Sequence, residues 1–474
     1  MIAPILLRIE KGEVYPMAKR TYWNAIPSLL LLLTGACLLS SSTKVLAQTA
    51  PPTVPSSAPT NQSEEDQKIE ALQKQLQQLQ AELDQMKKEK AGSPPASTTG
   101  ASAPAATAGT APAVTAAASP EPAAAAPSAL ESVFDGTSIS GSVDGYYGYD
   151  FNEPANRTAT LRSFDNMQNQ FALNLAELVI KKAPDSTNRL GYNLTFGYGN
   201  AMNVVNGSEP VAGAGFDRNV EQAYLSYLVP VGKGLQVDFG KFVTPAGAEV
   251  IESFSDWNYS RGVLFSYAIP FFHFGLRAAY TFSPRYSLTA FVLNGWNDVV
   301  APNTGKTYGA SFAWNATKKL TVTQNYLAGP QMLNINQHWR QLSDTVVQYN
   351  VTSKLSLLEN YDWGGGDMIP NYIGPVHWNG IASYVRYAFN DKEALAVRYE
   401  YYDDRSGFTT GMPQDINEYT ATLERIFAQH LTTRLEFRRD MSNAPFFPQG
   451  TSFAKNQNTL EAGLMYVFNI HEGH

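Results

Sequence analysis

The stretch LTTRLEFRR, residues 431–439, decides the fold class of this chain because apolar and charged side chains alternate along it. Its apolar side chains at every second position are Leu431, Leu435 and Phe437. The charged side chains between them are Arg434, Glu436 and Arg438. Successive side chains of a β-strand point to opposite faces, so this stretch predicts a strand with one apolar and one charged face.

The same period of two recurs from Ile139 onward and predicts an all-β protein, a transmembrane antiparallel barrel of about sixteen strands, counted to within two. The predicted strands are 139–151, 170–181, 189–198, 220–229, 235–242, 273–282, 286–296, 307–316, 320–327, 341–350, 355–363, 378–389, 394–403, 417–427, 431–440 and 457–468. Short and long connections alternate between them, which is typical of the two ends of such a barrel. An even strand number would place both barrel ends in the periplasm.

The composition suits strands with one face in lipid, because aromatic residues make up 12% of the chain and charged residues only 16%. No apolar run of roughly 18 residues follows residue 50, which excludes a helical membrane protein. The net charge of −7 argues against a nucleic-acid binder. A soluble β-sandwich also alternates, but it would carry more Lys and Glu and would divide into domains with visible linkers.

An export signal is predicted over residues 1–47, with Met17 as the natural start. A basic pair precedes the apolar run 26–39, and Ala47 precedes the predicted cleavage point. The alternative is an uncleaved anchor helix. Cys37, the only cysteine, would leave with the signal, so the mature chain would have no disulfide and no cysteine-bound metal.

Between the signal and the barrel, the sequence predicts a disordered segment at 48–63, a periplasmic coiled coil at 64–90 and a disordered Ala/Pro-rich linker at 91–137. The barrel is predicted over 138–470, followed by a tail at 471–474. The coiled coil rests on apolar residues spaced three and four apart, namely Ile69, Leu72, Leu76, Leu79, Leu83 and Met86. The alternative is a lone amphipathic helix, and the spacing does not decide between a dimer and a trimer.

Several stretches of the predicted barrel carry a family resemblance. They are NQFALNLAEL (169–178), AYLSY (223–227), GKFVTP (240–245), EVIE (249–252), WNYSR (257–261), YAIPF (267–271), NGWN (294–297) and TKKLT (317–321). In this order they resemble the outer-membrane β-barrel porin family described as OmpL-like, over about residues 139–470. The resemblance implies a Gram-negative outer-membrane barrel and names no substrate. One departure is that Phe468 is followed by further residues, whereas such barrels usually end in an aromatic residue.

The longest connection, 243–272, is expected to fold into the barrel and narrow it, as the third loop of general-diffusion porins does. A segment this apolar would be poorly solvated if it projected outward. The alternative is a hairpin extension of the two flanking strands. The candidate constriction residues on the loop are Glu249, Glu252 and Asp256. The candidate pore-lining residues on the strands are Arg277, Arg386, Arg398, Arg434, Glu436 and Arg438.

We expect the loop carboxylates to face the strand arginines across the pore, and the resulting field to set ion selectivity. The alternative, which does not exclude the first, is that these arginines pair with Glu400 and Glu436 as salt bridges within the barrel wall. The predicted function is passive diffusion of small hydrophilic solutes or ions through a water-filled barrel. The other candidate is a structural barrel that tethers the outer membrane to the cell wall through the coiled coil.

No nucleophile elbow, phosphate loop or dinucleotide fingerprint occurs in the sequence, so we predict no enzymatic activity, no cofactor and no metal site. The expected partners are outer-membrane lipid, small solutes and, by analogy with many porins, two further copies of the chain in a homotrimer.

Overall fold

The computed structural model describes residues 136–208, 216–368 and 374–470. The predicted signal, disordered segment, coiled coil and terminal tail lie outside the described residues, as does nearly all of the predicted linker. No helix among the described residues has the length and apolar character needed to cross a membrane.

The described residues form one closed antiparallel barrel and a small hairpin. The barrel strands are β1 Thr137–Asp150, β2 Gln170–Lys182, β3 Leu190–Tyr198, β4 Val220–Val229, β5 Leu235–Val243, β6 Phe272–Ser283, β7 Tyr286–Leu293, β8 Thr307–Asn315, β9 Leu320–Pro330, β10 Trp339–Asn350, β11 Leu355–Gly365, β12 His377–Ala388, β13 Glu393–Asp404, β14 Gln414–Ala428, β15 Leu431–Ser442 and β18 Asn456–Ile470. The hairpin strands are β16 Phe447–Gln449 and β17 Ser452–Ala454. Pairing of β1 with β18 closes the sheet. The predicted sixteen-strand barrel is therefore confirmed.

The two faces of each strand differ as the alternation predicts. On β15, Leu435 and Phe437 are exposed on the outer face, whereas Glu436 and Arg438 are buried on the inner face. Two aromatic residues, Tyr146 and Tyr402, are buried on the inward face. The position of a residue in the alternation of its strand determines the face to which its side chain points. The residue type does not determine it.

The connections fall into two sets. Seven short turns of two to seven residues join β2 to β3, β4 to β5 and so on around one end. The other end carries the long connections, of which the longest is 244–271, named here the long loop. The long loop includes a 3-10 turn, Ser253–Ser255, and a π-helical turn, Leu264–Ala268. The connection after β3 contains the single-turn helix α1, Asn200–Val205, and a 3-10 turn, Phe216–Asn219.

Candidate pore constriction

The long loop contacts inward-facing side chains of strands on several sides of the barrel. Asn325 on β9 donates its amide to the carbonyl of Pro245 at 3.0 Å. Asn360 on β11 accepts the backbone N–H of Ala248 at 2.9 Å. Because backbone groups away from water need partners, strand side chains here replace the hydrogen bonds that the loop would otherwise make with solvent.

Two strand carboxylates hold the centre of the long loop. Glu436 on β15 accepts the backbone N–H groups of Tyr259 and Ser260 at 2.6 and 3.0 Å. Glu400 on β13 accepts those of Val263 and Leu264 in the same way. Charge-assisted hydrogen bonds of this kind are stronger than neutral ones, so the pair fixes the loop against β13 and β15.

Tyr259 is the side-chain anchor of the loop on β1 and β18, the strands next to β15. Its hydroxyl donates to Asp144 on β1 at 2.8 Å. Its ring lies so close to Gly463 on β18 that a Cβ at that glycine would stand 2.4 Å from the ring. A glycine is required at this point because no larger residue leaves room for the ring.

The apolar residues of the loop pack against apolar side chains of the barrel. Leu264, Phe265 and Ile269 belong to one buried cluster with the strand residues Phe242 and Trp378. The indole N–H of Trp378 also donates to the carbonyl of Ala268 at 3.1 Å. The apolar character that distinguished this connection in the sequence is thus satisfied by burial against the barrel.

Arg398, a predicted site residue on β13, is fully buried and touches both the loop and the wall. It pairs with Glu249 of the loop at 2.6 Å and with Glu418 of β14 at 3.1 Å. It also donates to the carbonyl of Ser260 at 2.7 Å. Its charge is therefore neutralised locally.

Arg434 and Arg438 on β15 act in the same manner. Arg434 donates to backbone carbonyls of the loop, including that of Asn258 at 2.9 Å, and pairs with Glu424 at 2.7 Å. Arg438 donates to the carbonyl of Arg261 at 2.7 Å and pairs with Asp440 at 2.7 Å. We name the inward face of β13, β14 and β15 the charged wall.

One loop carboxylate meets these arginines directly and does not face them across an open space. Glu249 is in direct contact with Arg398, and Asp256 lies 3.4 Å from Arg261 of the loop itself. Burial raises the pKa of Asp256 well above its usual range, against the attraction of Arg261. Arg398 keeps its charge away from water because Glu249 of the loop is in direct contact with it.

The remaining site residues do not contact the long loop's arginine partners directly, although Arg386 shares Glu424 with Arg434. Arg277 pairs with Asp238 at 2.6 Å and its side chain is 23% exposed. Arg386 pairs with Glu424 at 2.8 Å and its side chain is 31% exposed. Glu252 lies apart from the arginines, beside two other carboxylates that the sequence analysis did not single out.

The model of the family described as "Putative beta-barrel porin-2, OmpL-like" matches residues 136–468, which span the whole barrel. The chain belongs to this family. No curated protein matches it. The protein is thus a porin-family barrel, and its place is the outer membrane.

Solved outer-membrane proteins resemble this porin-family barrel in fold. They include an anion-selective porin from Comamonas acidovorans, with 10% identity and a TM-score of 0.49 over 70% of this chain and 99% of that one. OmpF of Salmonella typhi, in complex with daunomycin, has 13% identity and a TM-score of 0.49 over 70% and 98%. A trimer form of OmpT from Vibrio cholerae has 13% identity and a TM-score of 0.46 over 70% and 99%. These similarities concern the barrel fold alone.

The porin-family barrel has a second inward contact that sequence reasoning missed, from the connection 151–169 between β1 and β2. Arg162 is buried and pairs with Asp165 and, at 3.5 Å, with Glu461 of β18. Phe164 packs against Phe265 of the long loop, with ring centroids 5.8 Å apart. The available signal was the run LRSFD at 161–165, which mixes apolar and charged residues within an otherwise polar connection.

The opposite side of the barrel has a different lining. The inward side chains Thr289 on β7, Ser311 on β8 and Thr323 on β9 share one face by register and are partly exposed. We name this surface the hydroxyl wall. Its small hydrogen-bonding side chains leave room and are compatible with water.

Proposed function

We propose that this outer-membrane barrel is a channel for passive diffusion of small hydrophilic solutes or ions, and that segment 243–272 folds into the barrel and narrows the channel. The observation that carries this proposal is the hydrogen bonding of the long loop to inward side chains of β1, β9, β11, β12, β13 and β15. A loop lying outside the membrane would not reach these groups.

The proposed path runs along the hydroxyl wall. The loop covers Arg398, Arg434 and Arg438 of the charged wall, and these buried side chains offer solutes little surface. Thr289, Ser311 and Thr323 remain partly exposed on the other side. Arg277 and Arg386 are the predicted site arginines that keep partial exposure, and we assign ion selectivity to them first.

We further propose that the protein is not an enzyme and that it assembles as a homotrimer with its N-terminal region in the periplasm. The spacing of Ile69, Leu72, Leu76 and the following apolar residues supports oligomerisation. The even number of barrel strands supports a periplasmic N-terminal side. Both ends of an even-stranded barrel lie on the same side of the membrane, and short turns are typical of the periplasmic side.

The direct test is single-channel conductance of the purified protein in planar bilayers. Replacing 253–262 by two glycines is expected to raise the conductance, because it removes the middle of the long loop. The matched control replaces 333–336, a mostly exposed stretch of another long connection, and is expected to leave conductance unchanged. A heat-dependent shift in gel mobility verifies that each variant forms a folded barrel.

The second candidate, a tether that does not conduct, is favoured by the dry packing of the charged wall against the loop. Folded wild-type protein that gives no conductance at any voltage would support the tether and overturn the channel. Conductance that is equal in the wild type and in the 253–262 variant would leave the channel in place and refute the narrowing. Arg434→Ala tests the narrowing independently, because it removes the hydrogen-bond donor to loop carbonyls without shortening the chain.

A further inference from the structure

Three carboxylates from distant parts of the chain meet on the inner side of the barrel. Glu177 lies on β2, Glu221 is the second residue of β4, and Glu252 belongs to the long loop. Each offers a carboxylate oxygen, and these oxygens all lie within 4.8 Å of one another. Like charges this close repel strongly unless something compensates them.

The described surroundings leave the central carboxylate without a donor. Glu221 is fully buried, and neither of its oxygens has a hydrogen-bond partner among the described residues. Glu177 receives only one long hydrogen bond, 3.4 Å from the hydroxyl of Ser142. A buried carboxylate without partners is costly, so this one points to a ligand that supplies positive charge.

One lysine lies within electrostatic range of the cluster and offsets only part of its negative charge. Lys241 attracts Glu221, but its ammonium group donates to the side-chain oxygen of Asn206 at 2.7 Å and lies 3.9 Å from the centroid of the Phe272 ring. Three carboxylates against one ammonium group leave two negative charges. The two positive charges of a divalent cation balance these two negative charges.

A second buried acidic pair in the same barrel is held differently. Asp344 accepts amide hydrogens from Asn325 at 2.6 Å and from Asn360 at 2.7 Å. Asn360 also donates to Asp362 at 3.1 Å. Amide donors therefore satisfy most of the aspartate pair, whereas the glutamate cluster has none. The difference sets the glutamate cluster apart from ordinary buried acids of this barrel.

We propose that Glu177, Glu221 and Glu252 bind a divalent cation, with calcium as the best match. Calcium takes oxygen ligands at about 2.4 Å, so two ligands on opposite sides of it lie about 4.8 Å apart. A cavity of about 430 Å³ adjoins the cluster and is lined by Glu177, Glu252 and other residues, which leaves space for the waters that complete the shell. The ion links the long loop to β2 and β4.

The test is isothermal titration of the full chain, folded in lipid-free detergent and stripped with EDTA, using calcium chloride and magnesium chloride as probes. We expect one calcium site per chain and weaker binding of magnesium. Glu221→Gln and Glu252→Gln are each expected to lower the calcium affinity at least about tenfold, since even indirect partners of a metal site are worth that much. Asp362→Asn is the matched control and is expected to bind as the wild type does.

Thermal unfolding gives a second readout that does not depend on conductance. Calcium is expected to raise the unfolding temperature of the wild type and leave that of Glu221→Gln unchanged. In EDTA, Glu221→Gln is expected to be at least as stable as the wild type, because one repelling charge is gone. Absence of calcium binding by the folded wild type, or equal binding by Glu221→Gln, would overturn the site and indicate carboxyl groups that share protons. Neither result bears on whether the barrel conducts.

Discussion

The charged wall and the hydroxyl wall belong to the same barrel and follow the same alternation, yet their inner faces are in opposite states. On β13 to β15 the inward side chains Arg398, Glu418 and Arg438 are long, charged and buried beneath the long loop. On β7 to β9 the inward side chains Thr289, Ser311 and Thr323 are short, neutral and partly exposed. An inward polar residue of a barrel therefore lines a pore only where the loops leave it uncovered.

The largest effect is expected from removing Glu418 of the charged wall. Its side chain lies buried between Arg398 and Arg438, at 3.1 and 3.4 Å. Glu418→Ala leaves two buried arginines without this partner and is expected to lower the free energy of unfolding by about 3–5 kcal/mol. Urea unfolding of the barrel in lipid vesicles measures it. The control is Glu393→Ala, which removes an exposed partner of Arg425 and is expected to cost less than about 1 kcal/mol.

A smaller loss is expected from Trp378→Phe. The substitution keeps an aromatic ring in the buried cluster but removes the donor that reaches the carbonyl of Ala268. An unmet buried carbonyl costs about 1–3 kcal/mol, and the same urea titration reports it. A cost indistinguishable from zero would mean that water reaches this part of the loop.

Ion selectivity gives a further test of the difference between covered and exposed charges, with a smaller expected effect. Arg277→Ala removes a partly exposed charge, and a charge about 7 Å from a passing ion in water is worth about 0.6 kcal/mol, or about threefold in relative permeability. Reversal potentials in a salt gradient are expected to shift toward cations by about this amount. Arg438→Ala is expected to shift them less, because its charge is buried and paired. Equal shifts would show that the charged wall faces the ions after all.

The smallest effect is expected on the hydroxyl wall. Thr289→Val replaces a partly exposed hydroxyl by a methyl group of similar size and is expected to change the free energy of unfolding by less than about 0.5 kcal/mol. Its conductance is expected to fall slightly, because water loses a hydrogen-bonding surface. A large destabilisation would show that Thr289 is packed as tightly as the charged wall.

The candidate site was only partly accessible from the sequence. The apolar run in 243–272 indicated that this connection needs burial, and the period of two gave Arg398, Arg434 and Arg438 a common face. The partners of these arginines could not be read in advance, because Glu249 is far from Arg398 in the chain and nothing local specifies their contact. The part played by Arg162 was missed for the same reason.

The alternation in the sequence determined the barrel strands, their number to within two and the face that each side chain takes, because alternation is a local property of extended chain. Which inward charges are covered, which remain exposed and which carboxylates lie close together depends on the tertiary structure. Glu177, Glu221 and Glu252 show this most clearly, since barrel closure and the path of one loop bring them within 4.8 Å. Contacts between distant segments depend on how the loops fill the barrel, and no short pattern of residues encodes that.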